Sequence, residues 1–175
     1  VNFYVSSEKI NNLKELIIQE PSENNEEITN LINSFSSKPE KMSIIDDKED
    51  IIKKIFELDT IEKIFHELEL LINMGNDFAI HTKKELLVKS PTSLKITLKQ
   101  IIQAKEMSLE EDLEMEYRMV QKCQSSGDFY EGVRAMLVDK DRKPKWNPSS
   151  IDKVDDIWVN HFFESLKEND LKIKT

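Results

Sequence analysis

Four basic side chains gather near the end of a predicted helix, at Lys140, Arg142, Lys143 and Lys145. Clustered lysine and arginine supply positive charge and N–H donors that suit phosphate or diphosphate groups. A second interpretation is equally acceptable, because cations at the C-terminal end of a helix interact favourably with its dipole while they remain in solvent. These residues alone leave both interpretations open.

The residues before this cluster predict the helix that positions it. Asp128 and Glu131 have the spacing of a capping box, in which acidic and polar side chains satisfy free backbone N–H groups at a helix start. Pro144 is expected to end the helix, since proline lacks an N–H group. Between them lies an apolar face at helical spacing, made of Phe129, Val133, Met136 and Leu137.

Residue patterns typical of catalysis or metal binding are missing from this sequence. The histidines are His66, His81 and His161, and none has a second ligand at a metal-like spacing. The single cysteine, Cys123, excludes an internal disulfide, and its apolar helical neighbours predict a buried side chain. There is no Gly-rich phosphate loop and no Gly-x-Ser-x-Gly elbow. We therefore predict no catalytic residue and no metal site in these residues.

Composition indicates a helical chain and predicts that neither nucleic acid nor a membrane is its partner. The 175 residues carry a formal net charge of −9, which argues against nucleic acid because phosphate neutralisation needs a basic face. No apolar run is long enough to predict a transmembrane helix. Charged residues make up 34%, and only 3 Gly and 5 Pro occur. The predicted fold class is all-α, with about eight to nine amphipathic helices.

Polar residues that precede apolar helical runs mark where most of these helices begin. The predicted N-terminal caps are Ser6 or Ser7, Ser22, Thr60, Ser90 and Ser108, the last in a capping box with Glu111. Pro91 fits the first position of its helix, and Gly75 is a left-handed stop. Further helices are predicted over 51–56, 78–88 and about 150–166, whereas residues 39–50 are polar and carry the weakest pattern.

Two motifs resemble a known family. The first is Ser-Pro-Thr-Ser-Leu-Lys at residues 90–95, and the second is Asp-Phe-Tyr-Glu-Gly at 128–132, followed by the basic, Pro-containing turn and Trp146. With Met-Glu-Tyr-Arg at 115–118, they resemble the C-terminal signature of the crotonase (enoyl-CoA hydratase) superfamily, specifically its 3-hydroxyisobutyryl-CoA hydrolase family. Weaker similarities at residues 7–9 and 59–64 extend the resemblance over the whole chain.

The resemblance implies a two-part enzyme of which this chain is the second part. The family's N-terminal core of ββα units binds acyl-CoA and holds the thioester carbonyl in an oxyanion hole of backbone N–H groups. This chain resembles only the helices that cover that core, so no catalytic residue is carried over. On this basis, residues 1–89 are a family-specific helical segment and residues 90–175 the crotonase-type C-terminal region, in one continuous helical domain. Because the first residue is Val, we expect a piece of a longer protein.

The resemblance also selects residues of the basic cluster as contacts for coenzyme A. Val138-Asp139-Lys140 matches a family Val-Glu-Lys sequence whose lysine approaches the nucleotide of CoA, often from a neighbouring subunit. Lys140 is therefore the first candidate, with Lys143 and Lys145 in reserve. The family's accompanying aromatic residue falls on Val120, which weakens the case for an adenine-stacking role. CoA enters as part of the substrate, and no covalent cofactor or metal is implied.

The function implied is hydrolysis of 3-hydroxyisobutyryl-CoA in mitochondrial valine breakdown by the parent protein, the present chain being inactive by itself. Its implied partners are its own N-terminal core, the acyl-CoA substrate and, through self-association, other copies. An exposed apolar patch is predicted where the core docks. The alternative is an interaction module, such as a hydrolase-like component of mitochondrial ribosomes. A free-standing helical adaptor is a third interpretation, and it predicts no apolar face left over.

Overall fold

The computed structural model describes residues 3–38 and 45–173. The chain forms two compact units, Val1–Glu49 and Asp50–Thr175. Within the described ranges there are nine α-helices and no strand, which confirms the predicted all-α class. None of the helices described is both long and apolar enough to cross a membrane.

The first unit contains two helices that pack on each other, α1 (Ser7–Gln19) and α2 (Asn25–Phe35). Ser6 precedes α1 as predicted, but α2 is capped by Asn24, whose side chain accepts the N–H of Glu26 at 2.9 Å. The prediction of Ser22 as this cap was wrong, because its hydroxyl donates to Glu27 instead at 2.6 Å. No residue of either helix is fully buried. Of the weakly patterned segment 39–50, residues 39–44 lie outside the described residues.

The second unit has a first apolar core built by α3 (Glu49–Phe56), α4 (Ile61–Asn73) and α5 (Asp77–Leu87). Thr60 caps α4 as predicted, since its hydroxyl accepts the N–H of Lys63 at 3.2 Å. Gly75 follows α4 with φ +78°, the predicted left-handed stop. The buried side chains of this core belong to Ile55, Ile61, Ile64, Leu68, Leu71 and Ala79.

A second core in the same unit is built by α6 (Pro91–Ala104), α7 (Leu109–Ser125) and α9 (Asp156–His161). Ser90 caps α6, and Ser108 with Glu111 forms the predicted capping box of α7. Helix α6 packs against both α4 and α9, and so it connects the two cores. The buried side chains here belong to Ile96, Met115, Met119, Val154, Val159 and Phe162.

The continuous helix predicted over 150–166 was wrong. A 3-10 turn at Ile151–Lys153 is followed by extended backbone at Val154 (φ −95°, ψ 102°), and α9 begins only after Asp155. Two interactions favour this break. The Val154 carbonyl accepts from the ammonium of Lys95 at 2.8 Å, and the Asp155 carboxylate caps α9 by accepting the N–H of Trp158 at 2.7 Å. A further 3-10 turn spans Lys167–Asn169.

Candidate functional site

The site begins at α8 (Gly127–Val133), which continues as a π-helical turn over Arg134–Val138. The N–H of Asp139 closes this turn by donating to the carbonyl of Arg134 at 2.8 Å. Regular helix therefore ends well before Pro144, and the predicted role of that proline as the helix stop was wrong. The predicted apolar face is confirmed, because its four side chains line one cavity of about 610 Å³: Phe129, Val133, Met136 and Leu137.

The predicted capping box of Asp128 and Glu131 was wrong. Ser126 occupies the N-cap position of α8, and no side chain caps this helix. Asp128 instead accepts the hydroxyl of Ser90 at 2.6 Å and the backbone N–H of Asn147 at 2.9 Å. The reason lies in the chain after the π turn, which returns past α8 and brings donors to carboxylates that would otherwise face solvent.

Glu131 holds the returning chain at a second point. Its carboxylate accepts two hydrogen bonds from the guanidinium of Arg134, both at 2.8 Å, and the backbone N–H of Lys145 at 2.6 Å. These bonds, that of Arg134 first, lower the pKa of Glu131 from 4.5 to about 2. Glu131 therefore stays ionised at neutral pH and ties residue 145 to α8.

Arg134 lies at the centre of a network of carboxylates. Besides Glu131, its guanidinium donates to Asp139 at 2.6 Å, to Asp141 at 2.8 Å and to the carbonyl of Lys143 at 3.2 Å. Asp141 also accepts the backbone N–H of Lys143 at 2.8 Å, and this bond, followed by that of Arg134, lowers its pKa. One side chain thus connects the end of α8 with three positions of the following loop.

The loop at residues 139–146, called the basic turn below, has an unusual backbone. Lys140 and Arg142 adopt φ values of 57° and 56°, the left-handed region. For residues with a side chain this region costs roughly 1 kcal/mol or more each. Such conformations persist only where the surroundings impose them. Here the N–H of Arg142 donates to the carbonyl of Ala135 at 3.0 Å, and the Arg134 network holds both sides of the turn.

The structure places all three predicted CoA-binding residues, Lys140, Lys143 and Lys145, on the basic turn, exposed to solvent. Across residues 3–38 and 45–173, the ammonium groups of these lysines make no ion pair, and neither does the guanidinium of Arg142. The turn therefore presents cations whose acidic neighbours are already bound by Arg134. Their binding role stays a prediction.

Trp146 ends the basic turn and anchors it to the helical unit. Its indole N–H donates to the carbonyl of Val88 at 3.0 Å, and its ring lies against Gly132, where an added Cβ would be 3.4 Å from it. Reasoning from the sequence missed this contact and the bond between Ser90 and Asp128. A glycine inside a predicted helix was the available signal, since glycine there costs about 1 kcal/mol relative to alanine and usually has a packing reason.

The remaining candidates for chemistry are not assembled into a site. Cys123 was predicted to be buried; it is half-buried and lines the cavity, and burial raises the pKa of its thiol. His161 contacts the carboxylate of Glu164 at 3.1 Å and stacks on Trp158. Among the residues that the structure describes, no group of three or more His, Cys, Asp or Glu side chains could hold a metal ion.

Acid is expected to loosen the basic turn. Since the pKa of Glu131 is about 2 in the folded chain against an ordinary 4.5, its contribution to the turn is complete above pH 4.5 and is lost as the pH falls towards 2. A titration of the Lys145 amide and the Trp146 indole by NMR should show the turn intact at pH 4.5 and changing only as the pH approaches 2. Glu131→Gln is the control and should lack this transition. A transition centred at the ordinary value of 4.5 or above would contradict the assignment.

The chain is similar to acyl-CoA enzymes over nearly its whole length. A family profile described as Enoyl-CoA hydratase/isomerase matches residues 1–163. The mitochondrial 3-hydroxyisobutyryl-CoA hydrolase of Xenopus laevis is 37% identical over 174 residues, and that of Mus musculus is 39% identical over 173. These matches cover 97% of this chain but 44% of each relative. The chain therefore spans less than half the length of these relatives.

Two solved structures of enzymes named for CoA substrates also superpose on this chain. A carnitinyl-CoA dehydratase from Mycobacterium thermoresistibile superposes with a TM-score of 0.82 at 25% identity, over 98% of this chain and 46% of that one. An enoyl-CoA hydratase from Rhodobacter sphaeroides superposes with a TM-score of 0.68 at 26% identity, over 85% of this chain and 44% of that one. In both cases the likeness concerns less than half of the larger protein.

Proposed function

Because this chain belongs to the enoyl-CoA hydratase/isomerase family, we propose that it forms the C-terminal helical part of a 3-hydroxyisobutyryl-CoA hydrolase. The whole protein would hydrolyse the thioester to 3-hydroxyisobutyrate and free CoA in valine breakdown. The observation that carries this proposal is the 37% and 39% identity, over 97% of the chain, to hydrolases of that name. A mitochondrial location is proposed on the same ground, since those relatives are named mitochondrial.

In this proposal the thioester is cleaved by a preceding core, which supplies the oxyanion hole and the catalytic acids. The helical chain divides into the family-specific segment 1–89 and the crotonase-type region 90–175. The fully buried side chains of the first core fall between Ile55 and Ala79 and those of the second between Ile96 and Phe162, and Leu94, Leu98 and Ile151 of the second region also pack against the first core.

The basic turn is proposed to bind the phosphate groups of the CoA portion of the substrate. Lys140 is the principal contact, with Lys143 and Lys145 beside it. Support comes from their exposure and from the engagement of Glu131, Asp139 and Asp141 by Arg134, which leaves the ammonium groups available to an anion.

The apolar residues around the π turn are proposed to be covered by the missing core or by another copy of the chain. Leu137 and Val138 are 68% and 69% exposed, and Met136 is 56% exposed. Phe129 and Tyr130 extend the same apolar surface along α8 with exposed rings. Contiguous apolar patches are uncommon on monomeric proteins and usually mark an interaction site.

Activity measurements on two proteins test this function. The full-length parent protein, with the residues that precede Val1, is expected to hydrolyse 3-hydroxyisobutyryl-CoA, whereas the 175-residue chain should show no turnover. An assay that detects the thiol of released CoA measures the turnover of both proteins. A reaction that contains the parent protein but no substrate is the blank. Turnover by the 175-residue chain would contradict the proposal that the catalytic residues lie in the preceding core. A folded parent protein without turnover would contradict the proposed hydrolase activity and favour the alternative of an interaction module.

A further inference from the structure

The backbone of the basic turn demands an explanation beyond charge. A π turn at Arg134–Val138 is followed by left-handed residues at Lys140 and Arg142. Helix ends need neither feature, and both recur where proteins position functional groups. The turn is therefore held in a conformation that free lysines and arginines would not adopt unaided.

Arg134 contacts the basic turn at three positions. Its guanidinium donates to Glu131 on α8, to Asp139 and Asp141 on either side of Lys140, and to the carbonyl of Lys143. The planar, five-donor guanidinium can satisfy several acceptors at once, whereas a lysine ammonium is a point charge. This arrangement differs from an isolated surface ion pair, because it joins chain positions up to nine residues apart.

Arg134 also controls which charges the turn displays. Without it, the carboxylates of Glu131, Asp139 and Asp141 would be free to attract the neighbouring ammonium groups. With it, all three carboxylates are engaged by hydrogen bonds and one of their three negative charges is offset, and the side chains of Lys140 and Arg142 have no ion-pair partner in the described part of the chain.

We propose that Arg134 is a positioning residue for anion binding: it holds the basic turn so that Lys140 and Arg142 face the phosphate groups of CoA. Arg134 does not itself contact the ligand, since its donors point at protein oxygens. This inference rests on the proposed function, because it takes CoA as the ligand of the turn. It adds Arg142 as a second phosphate contact, whose left-handed backbone has the same cause.

The test measures the Kd of CoA and the steady-state constants in the full-length parent protein. Arg134→Gln should raise the Kd of CoA and the KM of the acyl-CoA substrate about tenfold, as expected for losing one charge-assisted contact, with kcat unchanged. Arg134→Lys should not restore binding, because an ammonium cannot serve all these acceptors. Arg118→Gln is the matched control: that arginine pairs with Asp170 and Glu114 away from the turn, and its loss should leave the Kd of CoA unchanged.

A double-mutant cycle separates positioning from a merely structural role. In a background that carries both Lys140→Ala and Arg142→Ala, Arg134→Gln should weaken CoA binding by less than about twofold further, because it acts through the two missing cations. Additive losses, or a fall in kcat, would overturn the inference. Should Arg134→Gln not fold, Asp141→Ala removes both acceptor oxygens of that residue from the network and is expected to weaken binding in the same direction, even though it also removes a negative charge near the anion. Unchanged or tighter binding would overturn the inference. If the parent protein binds no CoA, the proposed function itself is refuted. If Lys140→Ala weakens CoA binding but Arg134→Gln does not, only the positioning role of Arg134 is refuted.

Discussion

Phe162→Ala is expected to lower the free energy of unfolding of the unit Asp50–Thr175 by about 3 to 5 kcal/mol. Phe162 is 1% exposed and is the largest fully buried side chain among the described residues. It belongs to the second core, and its ring meets that of Trp158 edge to face at 5.3 Å. The substitution removes both the burial of this ring and its aromatic contact, and both losses lower stability.

Urea unfolding followed by tryptophan fluorescence measures this effect. Both tryptophans of the chain, Trp146 and Trp158, lie in the unit that contains Phe162. Ile157→Ala is the matched control, since Ile157 is 82% exposed on the same helix, and it should change stability by less than about 0.5 kcal/mol. Equal effects of the two substitutions would mean that Phe162 does not hold this core together.

Asp128→Ala is expected to cost about 2 to 3 kcal/mol, because it removes a charged acceptor from two donors. One is the hydroxyl of Ser90, a residue only 5% exposed, and the other is the backbone N–H of Asn147. The substitution would leave the Ser90 hydroxyl buried without its acceptor and release the end of the basic turn. Asp128→Asn keeps an acceptor oxygen and should cost less.

A double-mutant cycle with Ser90→Ala measures the bond itself. Ser90 also caps α6 by accepting the N–H of Ser93 at 3.1 Å, so the single substitution carries a capping loss of about 1 kcal/mol that the cycle removes. A coupling energy of about 1 kcal/mol or more is expected for residues in direct contact. Asp152→Ala, at an exposed carboxylate, is the control. Additive losses would show that the two motifs fold independently.

The all-α fold class and most helix starts could be predicted, because they depend on residues that are close in the sequence. The caps at Thr60, Ser90 and Ser108 bond to N–H groups three residues later, so the interacting groups are neighbours in the sequence. The apolar face of α8 follows from helical spacing in the same way. The family too could be inferred from the sequence, since its motifs are contiguous.

The use made of Asp128 and Glu131 could not be predicted. Their spacing is that of a capping box, but apart from the Arg134 guanidinium their donors come from residues 38, 19 and 14 positions away, on other segments. The break at Val154 has a similar cause, because the lysine that binds its carbonyl is 59 residues distant. A local pattern contains no information on such donors.

The sequence by itself therefore determined an all-α chain, the positions of most helix starts and the family to which the chain belongs. Only the tertiary structure decided that the acidic residues of the second motif hold a returning loop, and that Arg134 engages the carboxylates around Lys140 and Arg142. The physical reason is that capping and amphipathic spacing follow from regular helix geometry, whereas the Arg134 contacts require the left-handed backbone of the basic turn, and that turn is anchored by hydrogen bonds between segments that meet only after folding.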